Sequence, residues 1–125
     1  MNVTNPELVI ITVINSDNLK VNSDQLFIKF KGLKNAIPTE DSNYVGFYFE
    51  APVLQISHIG IVESIHRYPT DFYNGVANFH LKSIIKLSKS KVSNHPIRNH
   101  EKWSLKDLGL NANSMNNFRN AVTSI

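Results

Sequence analysis

The sequence predicts an α+β domain: a small, curled, mostly antiparallel β-sheet or pseudo-barrel followed by short C-terminal helices. Three observations predict it. Apolar residues alternate with period two over Leu26–Lys31, Tyr44–Phe49 and Val76–Lys82, the pattern of a strand with one buried face. Gly60 interrupts the apolar run Leu54–Ile65, as glycine does where a strand bulges or bends and a sheet can curl. Helical periodicity enters only after Ser104, where Met115, Phe118 and Val122 share a face at spacings of three and four. Strands first and helices last suit a curled sheet with helices packed on it.

Taken in order, Leu8–Ile14 (LVIITVI) is a continuous apolar run and reads as a buried strand. Asn15–Asn18 is a turn cluster. In the next strand Leu26, Ile28 and Phe30 point inward, and Gly32 ends it. Residues 33–43 carry Pro38 and a polar run and read as a loop. The segment 44–66 (YVGFYFEAPVLQISHIGIVESIH) is the most apolar and aromatic in the chain and should supply two central strands. Val45, Phe47 and Phe49 form the buried face of the first, Tyr44, Gly46 and Tyr48 the other face, and Ala51-Pro52 breaks the run because proline lacks the N–H of a sheet ladder. Pro69 and Asn74-Gly75 mark a reversal. Val76–Leu87 returns as a strand, and Ser88–Asn99 reads as a long polar loop. Ser104 and Asp107 approximate a capping box for a short helix at 104–109 closed by Gly109. Asn113 or Ser114 caps a last helix at 114–124. The total is five or six strands and two helices.

A chain of 125 residues makes one domain, 1–125, long enough to bury a core without staples. The last helix stops at Ile125 still in pattern, as expected of a piece cut from a longer chain. Cysteine is absent, which excludes disulfides and thiolate metal sites. The apolar run near the N-terminus is too short to span a membrane and lacks a basic flank. The expectation is a soluble, cytoplasmic protein with no membrane partner.

Charge is uneven. Residues 1–81 hold five Lys/Arg against eight Asp/Glu, whereas 82–106 hold Lys82, Lys86, Lys89, Lys91, Arg98, Lys102 and Lys106 against Glu101 alone. A basic cluster on a mildly acidic body points to an anionic partner at one edge; the plain alternative is a solvated loop. Aromatic rings can stack on bases, an interaction worth roughly 1–3 kcal/mol per base. Strand phase assigns Phe47, Phe49 and Phe79 to the core. It leaves Tyr48, Tyr68, Tyr73 and Trp103 as base-pocket candidates, each with a polar tip near a turn or strand end. Alternating aromatics are otherwise ordinary core. Among the five histidines, His58 sits mid-strand, where it could bond backbone or a ligand. His95 and His100 lie in an expected loop, where they could act as acid and base or simply face solvent. No zinc-helix spacing, phosphate loop or serine elbow occurs, and the acids are scattered. No catalytic residue, metal ligand or cofactor site is therefore assigned.

Four passages carry a resemblance to a known family: YVGFYFEAPVLQISHIGIVESI (44–65), VANFHLKSIIKL (76–87), Pro96-Ile97 and WSLKDLGL (103–110). Over residues 40–110 the chain resembles a PUA-superfamily module of the EVE, ASCH and YTH-like kind. The first forty residues match by strand count only. The resemblance implies a nucleic-acid-binding module, DNA more than RNA, holding a modified or flipped base in an aromatic pocket. It also implies association with or fusion to a nuclease or NTPase, as in modification-dependent restriction. On that reading Lys86, Lys89, Lys91, Arg98 and Lys102 would contact the phosphate backbone, and Tyr48, His58, Tyr68, Tyr73 and Trp103 would form the base pocket. Two alternatives remain open: a small ASCH-type enzyme acting on RNA or a nucleoside, and a protein-interaction module or inhibitor.

Overall fold

The computed structural model describes residues 3–15, 18–21, 25–32, 36–49, 55–69 and 75–115. Among them seven strands form one open sheet: β1 (Leu8–Val13), β2 (Leu19–Val21), β3 (Leu26–Gly32), β4 (Tyr44–Phe49), β5 (Gln55–Pro69), β6 (Gly75–Val92) and β7 (His100–Ser104). Their order is β2-β3-β6-β5-β4-β1-β7. β1 and β4 are parallel and every other neighbouring pair is antiparallel, so the sheet is mixed. It also curls. Phe30 on β3 lies edge-on to His100 on β7 with ring centroids 6.0 Å apart, although four strands separate β3 from β7 in the order. A 3-10 helix at Lys106–Leu108 follows β7, and residues 112–115 are helical.

The sheet buries apolar residues on both faces. Ile10, Ile28, Phe30, Val45, Phe47, Val62, Phe79 and Leu81 fill the concave side. Val9, Ile11, Tyr44, Tyr48, Ile56, Ile59 and Ile61 line the other, where Ile97, Leu105, Leu108 and Met115 cover them. The assignment of Phe47 to the core therefore holds, but β4 has no solvent face. Tyr44 is 2% and Tyr48 1% exposed. Alternation revealed the face that packs into the curl. It could not reveal that the C-terminal segment would come back over the other. The unbroken LVIITV run of β1 is the sign of such double burial, and it belongs to the strand with a parallel neighbour.

Bulges shape the middle of the sheet. Ile61 pairs with Ser83 and Val62 with Leu81, which leaves Lys82 as an extra residue on β6. Val62 pairs with Leu81 and Ser64 with His80, which leaves Glu63 extra on β5. Each extra residue reverses the inward-outward phase beyond it. Thus Phe79 and Leu81 face the concave core while Leu87 faces the outer one. Gly60 lies between bulges on β5; a Cβ there would meet Leu81 Cδ1 at 2.9 Å and Phe47 Cε1 at 3.2 Å. The expected bend is thus produced by bulges around a glycine that admits the concave core.

Several boundaries differ from the sequence expectation. β5 continues through Pro69, and β6 continues to Val92 across five residues expected to be loop. β2 and β7 were not expected: Leu-Lys-Val and His-Glu-Lys-Trp-Ser are too short and polar to show a strand period, yet both lie at sheet edges, where such composition is usual. The helix expected at 104–109 is the three-residue 3-10 turn. The last helix begins at 112, capped by Asn111, whose Oδ1 accepts the Ser114 N–H at 2.9 Å. Its expected continuation to 124 lies outside the described residues.

Candidate nucleic-acid interface

The basic segment is held by the turn after β7. Ser104 N–H donates to Asp107 Oδ2 at 2.8 Å, and Asp107 N–H donates to Ser104 Oγ at 3.3 Å. This reciprocal pair is a capping box with Asp in place of Glu. Gly109, at φ 74°, closes the turn and its N–H donates to Lys106 O. Leu105 and Leu108 point into the outer core. Their burial fixes β7 and the turn against the far end of β6.

Between these elements runs an open groove of about 800 Å³, lined by Lys91, Val92, Asn94, His95, Lys102, Trp103, Lys106 and Asp107. Lys91, Lys106 and the chain's single tryptophan thus meet from three separate elements, while Lys102, opposite Ile10 in the ladder, turns its side chain toward the concave face. Trp103 is half-buried, resting on the outer core. Its Nε1–H donates to Glu101 Oε2 at 3.0 Å. Glu101 Oε1 lies 2.6 Å from His95 Nε2, and His95 Nδ1 lies 2.7 Å from Asn94 Oδ1. Both carboxylate oxygens are occupied, so the indole edge is fixed and the ring orientation is set before any ligand arrives. Lys102 Nζ also pairs with Glu40 at 3.1 Å. Both partners are largely exposed, so the pair holds the side chain only weakly. Lys91 and Lys106 make no ion pair among the described residues.

The backbone-contact residues divide. Lys91 and Lys102 line the groove. Lys89 lines an adjoining groove of about 390 Å³ that shares Lys91 and ends at Gly109 and Leu110. Lys86 is exposed on β6 opposite His58, and Arg98 is exposed in the segment before β7. Lys106 completes the groove. It belonged to the charge cluster, but only the turn geometry reveals its place beside Trp103.

The base-pocket candidates do not assemble. Tyr48 is a correction: it lies in the outer core, and no base can reach its ring. Tyr68 is 52% exposed on β5 opposite Val76, and it is not part of the groove. Tyr73 lies outside the described residues. His58 sits near Phe47 and Phe49, with ring centroids 6.3 and 6.1 Å away, and its Nδ1 is 2.7 Å from Ser57 Oγ. It too is separate from the groove. Of the four that lie among the described residues, Trp103 alone lines the groove. The signal that marked it was a polar-tipped ring near a strand end.

A second histidine cluster lies elsewhere. His66 and His80 stand edge-on at 4.8 Å on β5 and β6, beside Phe27 on β3. Burial holds the His80 pKa below its ordinary 6.5, His66 lowers it further, and Glu63 opposes both. Among the described residues no group of three or more His, Asp or Glu side chains is placed to hold a metal. No helix among them is long and apolar enough to cross a membrane. No protein-family model, curated protein or solved structure matches the chain.

Proposed function

We propose that the chain is a cytoplasmic nucleic-acid-binding module, DNA more than RNA, that holds a modified or flipped base. Association with or fusion to a nuclease or NTPase belongs to the same reading. The observation that carries it is the groove in which Lys91 and Lys106 border Trp103 from two other elements. Lysines there would neutralise phosphates, and the fixed indole would meet a base. Backbone contacts position a nucleic acid without discriminating its sequence. Any preference for one base or modification therefore depends on the Trp103 side of the groove. The test is a salt titration of oligonucleotide binding. Each phosphate contact to duplex DNA contributes about 0.9 to the log–log slope. Replacing Lys91 and Lys106 together by Ala should lower the slope by about two and weaken all sequences alike. An unchanged slope would make the cluster ordinary surface and favour a protein partner instead.

One observation favours a second reading, the small ASCH-type enzyme acting on RNA or a nucleoside. His95 and Glu101 are in contact at the groove, and a histidine beside a carboxylate is a usable acid–base pair. Turnover of labelled RNA or nucleosides that disappears in His95→Ala would establish it; intact substrates after prolonged incubation would exclude it.

A further inference from the structure

We infer that the groove takes unpaired strands in preference to duplex, with one base laid on the Trp103 ring and the flanking phosphates on Lys91 and Lys106; this rests on the nucleic-acid reading above and narrows it. The argument begins with what the ring can offer. Trp103 has one side against the outer core and its Nε1–H committed to Glu101. What it presents to the groove is apolar ring surface with no free donor. Such a surface recognises a base by its face, not by its edge.

A duplex covers its base faces by stacking and presents edges in its grooves. It could offer the indole a base face only by extruding a nucleotide, at the cost of unpairing and unstacking it. The groove is bordered by Lys91 and Val92 at the end of β6, by Asn94 and His95 after it, and by Lys106 and Asp107 in the turn. Lys91 at the end of β6 and Lys106 in the turn after β7 border the groove from different elements, as expected when phosphates on both sides of a stacked base are neutralised.

The chain's single tryptophan makes the site report on itself. A base stacked on Trp103 should quench its fluorescence, whereas a phosphate held nearby without stacking should not. The titrants are a thymidine dodecanucleotide, a duplex closed by a loop at each end so that no terminal base pair is exposed, and inorganic polyphosphate, all at one low salt concentration. The single strand should bind tightest and quench saturably, and polyphosphate should bind without quenching. In a labelled-oligonucleotide anisotropy assay Trp103→Ala should weaken the single strand by roughly 5- to 150-fold and leave polyphosphate affinity unchanged. Trp103→Phe, which keeps a stacking face, should retain most of the single-strand affinity, and it serves if the alanine variant does not fold. Duplex binding as tight as single-strand binding would overturn the preference while leaving the nucleic-acid reading intact. The same holds if the single strand binds without quenching. Binding of neither nucleic acid would remove both.

Discussion

Replacing Gly46 by Ala should destabilise the protein, and a second substitution that shortens Ile11 should rescue it. Ile11 and Gly46 are directly paired in the parallel ladder between β1 and β4. The Cδ1 methyl of Ile11 occupies the space that a Cβ at position 46 would need. The remaining neighbours of that Cβ, Val9 Cγ1 at 3.4 Å and Ile11 Cγ1 at 3.6 Å, are at ordinary contact distance. Gly46 has no positive φ, so alanine meets no backbone strain there. Alone, Gly46→Ala overpacks the outer core at a cost of about 1–3 kcal/mol. Ile11 is fully buried, and Ile11→Val alone should cost about 0.5–1.5 kcal/mol. In the double variant the new methyl takes the place of the one removed. The alanine also restricts the unfolded chain, a gain of about 0.4–1 kcal/mol. The double variant should therefore lie within about 1 kcal/mol of the parent, although the single losses sum to about 1.5–4.5 kcal/mol. Urea melts followed by circular dichroism measure all four proteins, and a constant m-value confirms that the unfolded state has not changed. Additivity within about 0.5 kcal/mol, or a neutral Gly46→Ala, would refute the β1–β4 register.

Two other outcomes follow from the packing. Phe47→Ala and Tyr48→Ala should each cost about 3–5 kcal/mol, because both rings are buried, on opposite faces of β4; a loss below about 1 kcal/mol for Tyr48→Ala would return that ring to the surface. His80 binds its proton less readily in the folded state than in the unfolded one, so its contribution is fully present above about pH 6.5 and is lost as pH falls through 6.5 toward the lower folded value. His80→Gln should flatten that part of a stability–pH curve, and a parent protein whose stability rises on acidification through this range would contradict the assignment.

What the sequence revealed depended on how locally it was encoded. The alternation at Leu26–Lys31 and Val76–Leu81 names the residues that fill the concave core, because each strand carries its own period. Tyr48 shows where that reasoning stops. Its position opposite Phe47 is legible, but its burial depends on Ile97, Leu105, Leu108 and Met115 arriving from the other end of the chain. The bulges at Glu63 and Lys82 are invisible for a related reason: an extra residue has no side-chain signature, and it is defined only by its partner strand. At the candidate site the lysines were legible as a charge run, and Trp103 as a polar-tipped ring near a strand end. That Lys106 and His95 would join them required the capping-box turn and the β7 strand, whose five residues are too few to show a period.

The place of β1 in the sheet also sets the order in which the chain can fold. Its partners are distant on both sides: Val9 pairs with Tyr44 in one direction and with Trp103 in the other. By contrast, β5 and β6 form a long antiparallel pair from neighbouring segments. Short loops close first, because closure entropy grows with the length of chain enclosed, and sheets that depend on distant pairings assemble slowly. The β5–β6 pair is thus the expected nucleus, and β1 is expected to insert after it, between β4 and β7. Until then LVIITV, uncharged and rich in β-branched residues, waits without a partner. It has the composition of a self-associating strand, so the seam that completes the sheet is also the segment most exposed to wrong pairing during synthesis.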